Sequence, residues 1–391
     1  MLYIIDSDVL DKIRDDHINS NDITKLNSLF ALLNDIVMSR FNEVSVDDND
    51  FQNTIISINK SNFIQTNKVA KRVMTHIFNR YQEVFSLVDK LSIKTFITWQ
   101  KVDVKIISSE VNLPEPIKID VDNFINTSNS IRFDDAISLA VENTNDFALY
   151  KNFVKYFSPS FDNNLSNFFL NVVNGGGDTI GTVIESEVEN NHRFTVAITD
   201  SDRTFGKKED YIGQTASKAI SSSQKLNSMH LVPVSKVFVL NVNEKENLFS
   251  PVEYAKAFEN GRQDKRRTLQ WLSIIEKEIL NKDDKDLQLF LNIFDYKKGI
   301  QSSTYTTIME KNPEVDRVMI QWGNKTNFLT GLGRDPVKRF FPIQDEQQWD
   351  YSSGIFNYKI IDQTSFIHCY RVQIAFFLYS LGFGYRQSLA I

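Results

Sequence analysis

Two rhythms of apolar residues run along this chain. Short apolar runs bounded by turn residues occur at 2–5, 137–141, 167–173, 194–199 and 233–242. Between them lie longer segments with apolar residues at helical spacing. Segment 23–41 places Leu26, Leu29, Phe30, Leu33, Ile36 and Val37 on one face, and 67–91 does the same with Val69, Val73, Ile77, Tyr81, Val84 and Val88. Segment 147–157 repeats the pattern with Phe147, Tyr150, Phe153, Val154 and Phe157, and 269–280 with Trp271, Leu272 and Ile275. Further helices are expected at 179–188, 214–225 and 283–294, and further strands at 95–99 and 102–107. Short apolar runs separated by helical-length segments predict buried strands of a parallel sheet. The expected fold class is therefore α/β: a central parallel sheet flanked by helices, an N-terminal α/β domain and a mainly helical or mixed C-terminal region.

Punctuation in the chain suggests where these parts divide. Pro114 and Pro116 disfavour continuing either helix or strand, which makes 112–116 a linker. Residues 120–135 are rich in Asp, Asn and Ser and predict a loop. At Gly261 the character changes again, through the basic run Arg262, Lys265, Arg266 and Arg267. The expected domains are 1–115, 116–260 and 261–391. No internal repeat is visible. The most apolar stretch, 372–383, is too short to span a bilayer and predicts a buried terminal helix.

Composition narrows the function classes. The chain has 391 residues, a net charge of −6 and one cysteine, Cys369. A single cysteine excludes an internal disulfide framework and fits a reducing cytoplasm. The acidic balance excludes a generic polyanion binder, so a nucleic-acid partner would have to be held by local basic patches and by a metal. Standard zinc spacings are missing and the five histidines are scattered. Met1 to Asp6 carries no basic segment and no cleavage site, so no signal peptide is expected.

Candidate chemistry comes from acids that close the apolar runs. Glu142 and Asp146 follow the run at 137–141, Asp200 and Asp202 follow 194–199, and Glu244 and Glu246 follow 237–242. Ligand crevices of open α/β sheets lie at the carboxyl ends of the strands. A cluster of acids there calls for a cation, and hard oxygen ligands suit Mg²⁺ or Mn²⁺. This ordered set resembles the TOPRIM domain, the metal-binding fold of topoisomerases, primases and several nucleases of bacterial anti-phage defence, including the overcoming-lysogenization-defect and PARIS effectors. The family pattern is Glu-Gly-x-x-Asp after one strand, glycines after a middle strand and Asp-x-Asp after a third. Here Glu142 and Asp146 keep the spacing, Gly175, Gly176 and Gly177 supply the glycines, and Asp200-Ser201-Asp202 supplies the second acidic motif. Glu246-Asn247 is similar to a later Glu-Asn pair of the defence effectors. Asn143 stands where the family has Gly.

The resemblance covers roughly 134–253 and implies a metal-dependent endonuclease acting on DNA or RNA. Glu142, Asp200 and Asp202 would be catalytic, and Glu142, Asp146, Asp200, Asp202 and Glu246 would bind the metal. Arg203, Lys207 and Lys208, together with Arg262, Lys265, Arg266 and Arg267, are the candidate nucleic-acid contacts. Local ion pairs with Asp210 and Asp264 are their plain structural alternative. No phosphate-binding Gly-x-x-x-x-Gly-Lys-Ser/Thr loop occurs, so the resemblance implies a separate ATPase or sensor subunit; assembly with further copies of the chain stays open, and no membrane partner is expected. Two other readings remain: a non-catalytic sensor or nucleic-acid-binding subunit, and a ribonuclease similar to PIN domains that uses Asp6 and Asp8, with Glu43 and Asp89 as unsupported further acids. For Asp6 and Asp8 the plain alternative is helix capping.

Overall fold

A computed structural model describes residues 1–15, 17–47, 51–89, 91–102, 116–157, 169–203, 211–230, 232–282, 285–300, 329–334, 336–337 and 365–384. These residues divide into two compact units. The first is built from 1–198, 217–238 and 374–391, the second from 199–216 and 239–373. The architecture is mixed α/β, with parallel sheets flanked by helices and a helical C-terminal region.

The first unit contains two four-stranded sheets. One comprises β1 (Leu2–Ile5), β2 (Glu43–Val46), β3 (Thr95–Thr98) and β4 (Ile117–Asp120), in the order β2-β1-β3-β4, every pair parallel. The other comprises β5 (Ser138–Val141), β6 (Asn171–Asn174), β7 (Thr195–Thr199) and β8 (Ser235–Val239), in the order β6-β5-β7-β8. The two orders are the same scheme used twice, a likeness invisible in the sequence because a topology needs only matching patterns, not matching residues. In both sheets the first strand of the set is interior and its side chains are fully buried. That is why 2–5 and 139–141 read as continuous apolar runs rather than as an alternation.

Helices form where the apolar spacing demanded them. α1 (Ser7–Arg14) follows β1, and α2 (Ser20–Ser39) buries Leu26, Leu29, Phe30, Leu33 and Ile36 against α5 (Lys68–Val88), which contributes Val73, Met74 and Ile77. Asn19 caps α2 by accepting from Asp22 N at 2.9 Å, and Asn67 caps α5 by accepting from Val69 N and Ala70 N at 2.9 Å each. The 51–60 region is helical as α3 (Phe51–Lys60), followed by α4 (Asn62–Thr66).

Several expectations need correction. Residues 120–135 do not form one loop: β4 ends at Asp120, and α6 (Val121–Thr127) follows. Asp120 caps that helix by accepting from Asn123 N at 3.0 Å, while Val121 and Phe124 are fully buried. Seven residues with two large apolar side chains are too few for a helical period to stand out against the Asp and Asn content. The strand expected at 167–173 is Asn171–Asn174, half-exposed at the sheet edge. The helix expected at 214–225 runs on as α9 (Gln214–His230). The strand expected at 102–107 and the linker at 112–116 fall almost wholly outside the described residues.

Around β5 and β6, α7 (Thr144–Phe157) and α8 (Ile180–Glu189) complete two crossovers. Gly176 and Gly177 both have φ of 57°, and Gly175 N donates to Val141 O at 2.6 Å. A Cβ on Gly175 would stand 2.7 Å from the Ile180 side chain and 3.0 Å from Val141 O, so the tight turn needs its glycines. A polar knot anchors the other end of β5. Ser138 Oγ donates to Glu187 Oε2 at 2.5 Å, Asn171 Nδ2 to the same oxygen at 3.2 Å, and Asn191 Nδ2 to Glu187 Oε1 at 2.7 Å.

The second unit is largely helical: α10 (Pro251–Ala257), α11 (Gln263–Lys282), α12 (Lys285–Ile293) and the start of α13 (Phe366–Gly382), with a short antiparallel pair of β9 (Gly299–Ile300) and β10 (Leu329–Thr330). Its centre is aromatic. Tyr254 stacks near Tyr296 at 4.8 Å between centroids, Tyr296 meets Phe294 edge-on at 5.2 Å, and Phe249, Phe258 and Phe290 close the cluster. Among the described residues no helix is long and apolar enough to cross a membrane.

Ile4 is wholly buried in an interior strand of the first sheet. Ile4→Ala should therefore cost about 2–5 kcal/mol, read as a lower denaturation midpoint at unchanged slope in urea.

Candidate functional site

The acids predicted from the strand ends occupy two settings. In the first unit, Glu142 immediately follows β5 and is half-buried. Its neighbour Asn143 and Asp146 close a local turn: Asn143 N donates to Asp146 Oδ2 at 3.1 Å, and Asp146 N donates back to Asn143 O at 2.8 Å. Asp146 thereby holds the first turn of α7. Asn143 is not among the residues with positive φ, so the turn forms without the conformation that a glycine would allow. Gly176 N donates to Glu142 O at 3.1 Å, which ties the glycine turn to the end of β5.

In the second unit, the segment after β7 and the segment after β8 are laced together. Lys245 N donates to Asp200 Oδ1 at 3.0 Å, Ser201 Oγ to Val242 O at 2.6 Å, and Asp202 N to Asn243 O at 2.9 Å. Asp202 adopts a left-handed φ of 50°, a conformation short polar residues tolerate. Its carboxylate lies directly over Gly213, where an added Cβ would come within 2.3 Å of Oδ2. Only a residue without a side chain leaves room for the acid there. Burial, with the nearby Glu244 charge adding, raises the Asp202 carboxyl above its ordinary range, while Lys297 and Lys298 oppose the rise.

Glu244 and Glu246 flank the start of a 3-10 turn, Lys245–Leu248. Glu246 is fully buried, and neither of its carboxylate oxygens receives a well-angled hydrogen bond. Lys297 Nζ stands 3.2 Å from Glu246 Oε2 and 2.9 Å from Glu244 Oε2. At those distances the pairing is a charge contact, though Glu244 Oε2 and Glu246 Oε2 also lack hydrogen-bond geometry. Burial raises the Glu246 carboxyl, Glu244 reinforces the rise, and Lys297 opposes it. Asn247, predicted as part of a functional pair, is a clamp: its Nδ2 donates to Leu291 O at 2.9 Å and Phe294 O at 2.8 Å, and its Oδ1 accepts from Glu244 N at 3.2 Å.

Behind the turn lies a charge network that sequence reasoning missed. Arg371 and Glu253 are each 1% exposed and form a bidentate pair, at 3.1 Å from Nη1 and 2.5 Å from Nη2. Arg371 Nε also donates to Leu248 O, and Tyr254 Oη donates to Glu246 O at 2.9 Å. Ser250 caps α10 and donates to Glu276 Oε2 at 2.6 Å. Burial pushes the Glu276 carboxyl from 4.5 up to about 7. Only a tertiary contact reveals this set, since 253, 276 and 371 share no spacing; an arginine immediately before the apolar stretch 372–383 was the one available signal.

The basic candidates divide. Arg203 is half-buried, and Lys207 and Lys208 lie outside the described residues. Arg262 pairs with Asp264 at 3.0 Å, and Lys265 donates to Leu332 O, so these two have structural partners. Arg266 and Arg267 are exposed on the first turns of α11. The N-terminal pair serves the backbone. Asp6 caps α1 by accepting from Ser7 N at 2.6 Å. Asp8 accepts from Thr98 Oγ1 at 2.5 Å, Trp99 N at 2.9 Å and Gln100 N at 3.0 Å. Burial alone would raise the Asp8 carboxyl, but these bonds together hold it below the ordinary aspartate range.

Hard carboxylate oxygens, two of them buried on Glu246 without a hydrogen-bond donor, are a donor set that suits Mg²⁺ or Mn²⁺. Among the described residues, however, no three His, Cys, Asp or Glu side chains stand as a group that could hold a metal ion. Comparison with known proteins finds no matching family model, no matching curated protein and no matching solved structure.

Glu276 sets a pH signature. A carboxyl raised in the folded state contributes stability that is fully present below its unfolded value near 4.5 and is lost as pH rises through about 7. Between those limits the wild-type chain should lose about 3 kcal/mol of stability, and Glu276→Gln should flatten that slope in urea unfolding measured from pH 4 to 8. Arg371→Met should cost about 3–5 kcal/mol by stranding Glu253, with the double variant Arg371→Met/Glu253→Met recovering much of the loss.

Proposed function

We propose that the chain is a divalent-metal-dependent nuclease that hydrolyses phosphodiester bonds of DNA or RNA. The observation that carries this proposal is the placement of acids by the second sheet. β5 and β7 are neighbouring parallel strands in register, Val141 opposite Ile198, in the middle of the order β6-β5-β7-β8. Glu142 follows the first strand directly, and Asp200 and Asp202 follow the second. Both strands therefore end in acids at the edge where open α/β sheets bind their ligands.

A divalent ion held there would supply Lewis-acid charge to the phosphodiester and lower the pKa of a bound water. Asp200 and Asp202 are the proposed ligands, with Glu142 as a further ligand or as the base that takes the proton from the attacking water. Asp146 contributes by fixing the turn that carries Glu142. Arg203, Arg266 and Arg267 are the proposed contacts to the nucleic-acid backbone. A separate ATPase or sensor subunit and a role in anti-phage defence belong to the same proposal, through the resemblance alone.

The pairing of Lys297 with Glu244 and Glu246 favours a second reading, a binding or sensor protein that keeps the sheet without turnover. Cleavage of single- and double-stranded DNA and of RNA, assayed with and without Mg²⁺ or Mn²⁺, separates the two. Glu142→Gln, Asp200→Asn and Asp202→Asn should each lower metal-dependent cutting at least about 100-fold, whereas Asp6→Asn should leave it intact. Undiminished cutting by the three variants would reject the proposed site, and cutting lost only in Asp6→Asn would move the chemistry to the first sheet.

A further inference from the structure

We infer that the cavity between α11, α12 and the start of α13 is a binding site for a purine nucleotide. The inference lies outside the nuclease reading, and no residue proposed for cutting lines the cavity.

The cavity measures about 510 Å³. A close-packed interior leaves few voids larger than a water molecule, whereas small-molecule sites run from about 300 to 1,000 Å³. Three helices supply most of its wall. α12 contributes Lys285, Gln288, Leu289 and Asn292, spaced i, i+3, i+4 and i+7, so one face of that helix borders the space. α11 contributes Ile279 and Leu280, and α13 contributes Phe366. Leu280 is 41% exposed, so the cleft keeps apolar surface against water, which a flat apolar ring would cover with a gain in free energy. Phe366 is half-buried and stacks on Tyr370 at 5.5 Å between centroids, which fixes an aromatic ring in the wall. Aromatic rings in such positions accept any nucleobase by stacking, and the two fused rings of a purine cover more of this wall than a single ring does.

Polar groups on the α12 face add a second requirement. Gln288 Nε2 donates to Asn292 Oδ1 at 2.8 Å, leaving Gln288 Oε1 as an acceptor and Asn292 Nδ2 as a donor. With both amides turned over, the pair again offers one acceptor and one donor. The complement is a planar edge with a donor beside an acceptor, as on adenine, for which side-chain amides are ordinary partners. A plain hydrocarbon chain would cover the leucines but leave both amides unpaired. Lys285, exposed and one turn before Gln288, brings a cation for the phosphate. Glu276 also lines the cavity. Its carboxyl accepts from Ser250 Oγ at 2.6 Å, and burial, which pushes it up to about 7, lessens the negative charge that a nucleotide would meet.

Calorimetric titration of adenosine 5′-monophosphate into the full chain, with a metal chelator present, tests the site. Saturable binding is expected, with uridine 5′-monophosphate weaker and ribose 5-phosphate weaker still. Leu289→Trp, which fills the cavity, and Gln288→Leu, which removes one amide, should each weaken binding about tenfold or more. Lys285→Gln should weaken the nucleotide and leave adenosine unchanged. Gln288 is only half-buried, so its variant decides even where Leu289→Trp fails to fold. No saturable binding overturns the inference, as does equal affinity for ribose 5-phosphate or uridine 5′-monophosphate, or full affinity in the cavity variants. Binding lost in Glu142→Gln or Asp200→Asn but kept in the cavity variants would seat the nucleotide at the proposed nuclease site, and only this inference would fall.

Discussion

Buried carboxylate charge is the constraint around which the second unit is arranged. Glu246, Glu253 and Glu276 are all removed from water, and each must find compensation or take up a proton. The three solutions differ. Glu253 is fully matched by the fork of Arg371, with Ser250 N adding a further donor. Glu276 accepts from Ser250 Oγ, and burial carries it toward protonation. Glu246 receives a shared lysine and no hydrogen bond to its side chain. The three carboxylates thus run from fully to only partly compensated.

The supporting structure explains why an under-compensated acid can persist. Lys245–Leu248 is gripped from several sides: by Tyr254 and Arg371 through main-chain carbonyls, and by the capping interaction of Glu244 with Asn247. The aromatic cluster of Phe249, Tyr254, Phe294 and Tyr296 stands behind it. Breaking the Lys297 contact need not unravel this frame, because none of these bonds passes through the ammonium group. The glycine at 213 has a matching role, making space for Asp202 against the chain.

Both sheets of the first unit use one topology, yet their strand-end acids are employed differently. After β1, Asp6 and Asp8 are consumed by capping α1 and by binding Thr98, Trp99 and Gln100. After β7, the identical tripeptide Asp-Ser-Asp is placed against a second acidic segment, and Asp202 is pushed toward protonation rather than away from it. The last aspartate of the same tripeptide is thus shifted in opposite directions by its surroundings.

Much of the architecture was legible in the chain itself. Short apolar runs marked the interior strands β1, β5 and β7, and helical spacing marked α2, α5 and α11, because burial imposes a period that the residues must obey. The acids at 142, 200, 202 and 246 were also visible, since each closes an apolar run. Short elements escaped: α6 is hidden in an Asp- and Asn-rich segment whose polarity outweighs two buried apolar side chains. What only the tertiary structure decided was the partner of each charge. Nothing in the order of residues joins Lys297 to Glu244 and Glu246, or Arg371 to Glu253, over separations of roughly 50 to 120 positions. Local pattern records whether a side chain faces inward, but the energy of a charge depends on which groups surround it, and that is fixed only when distant segments meet.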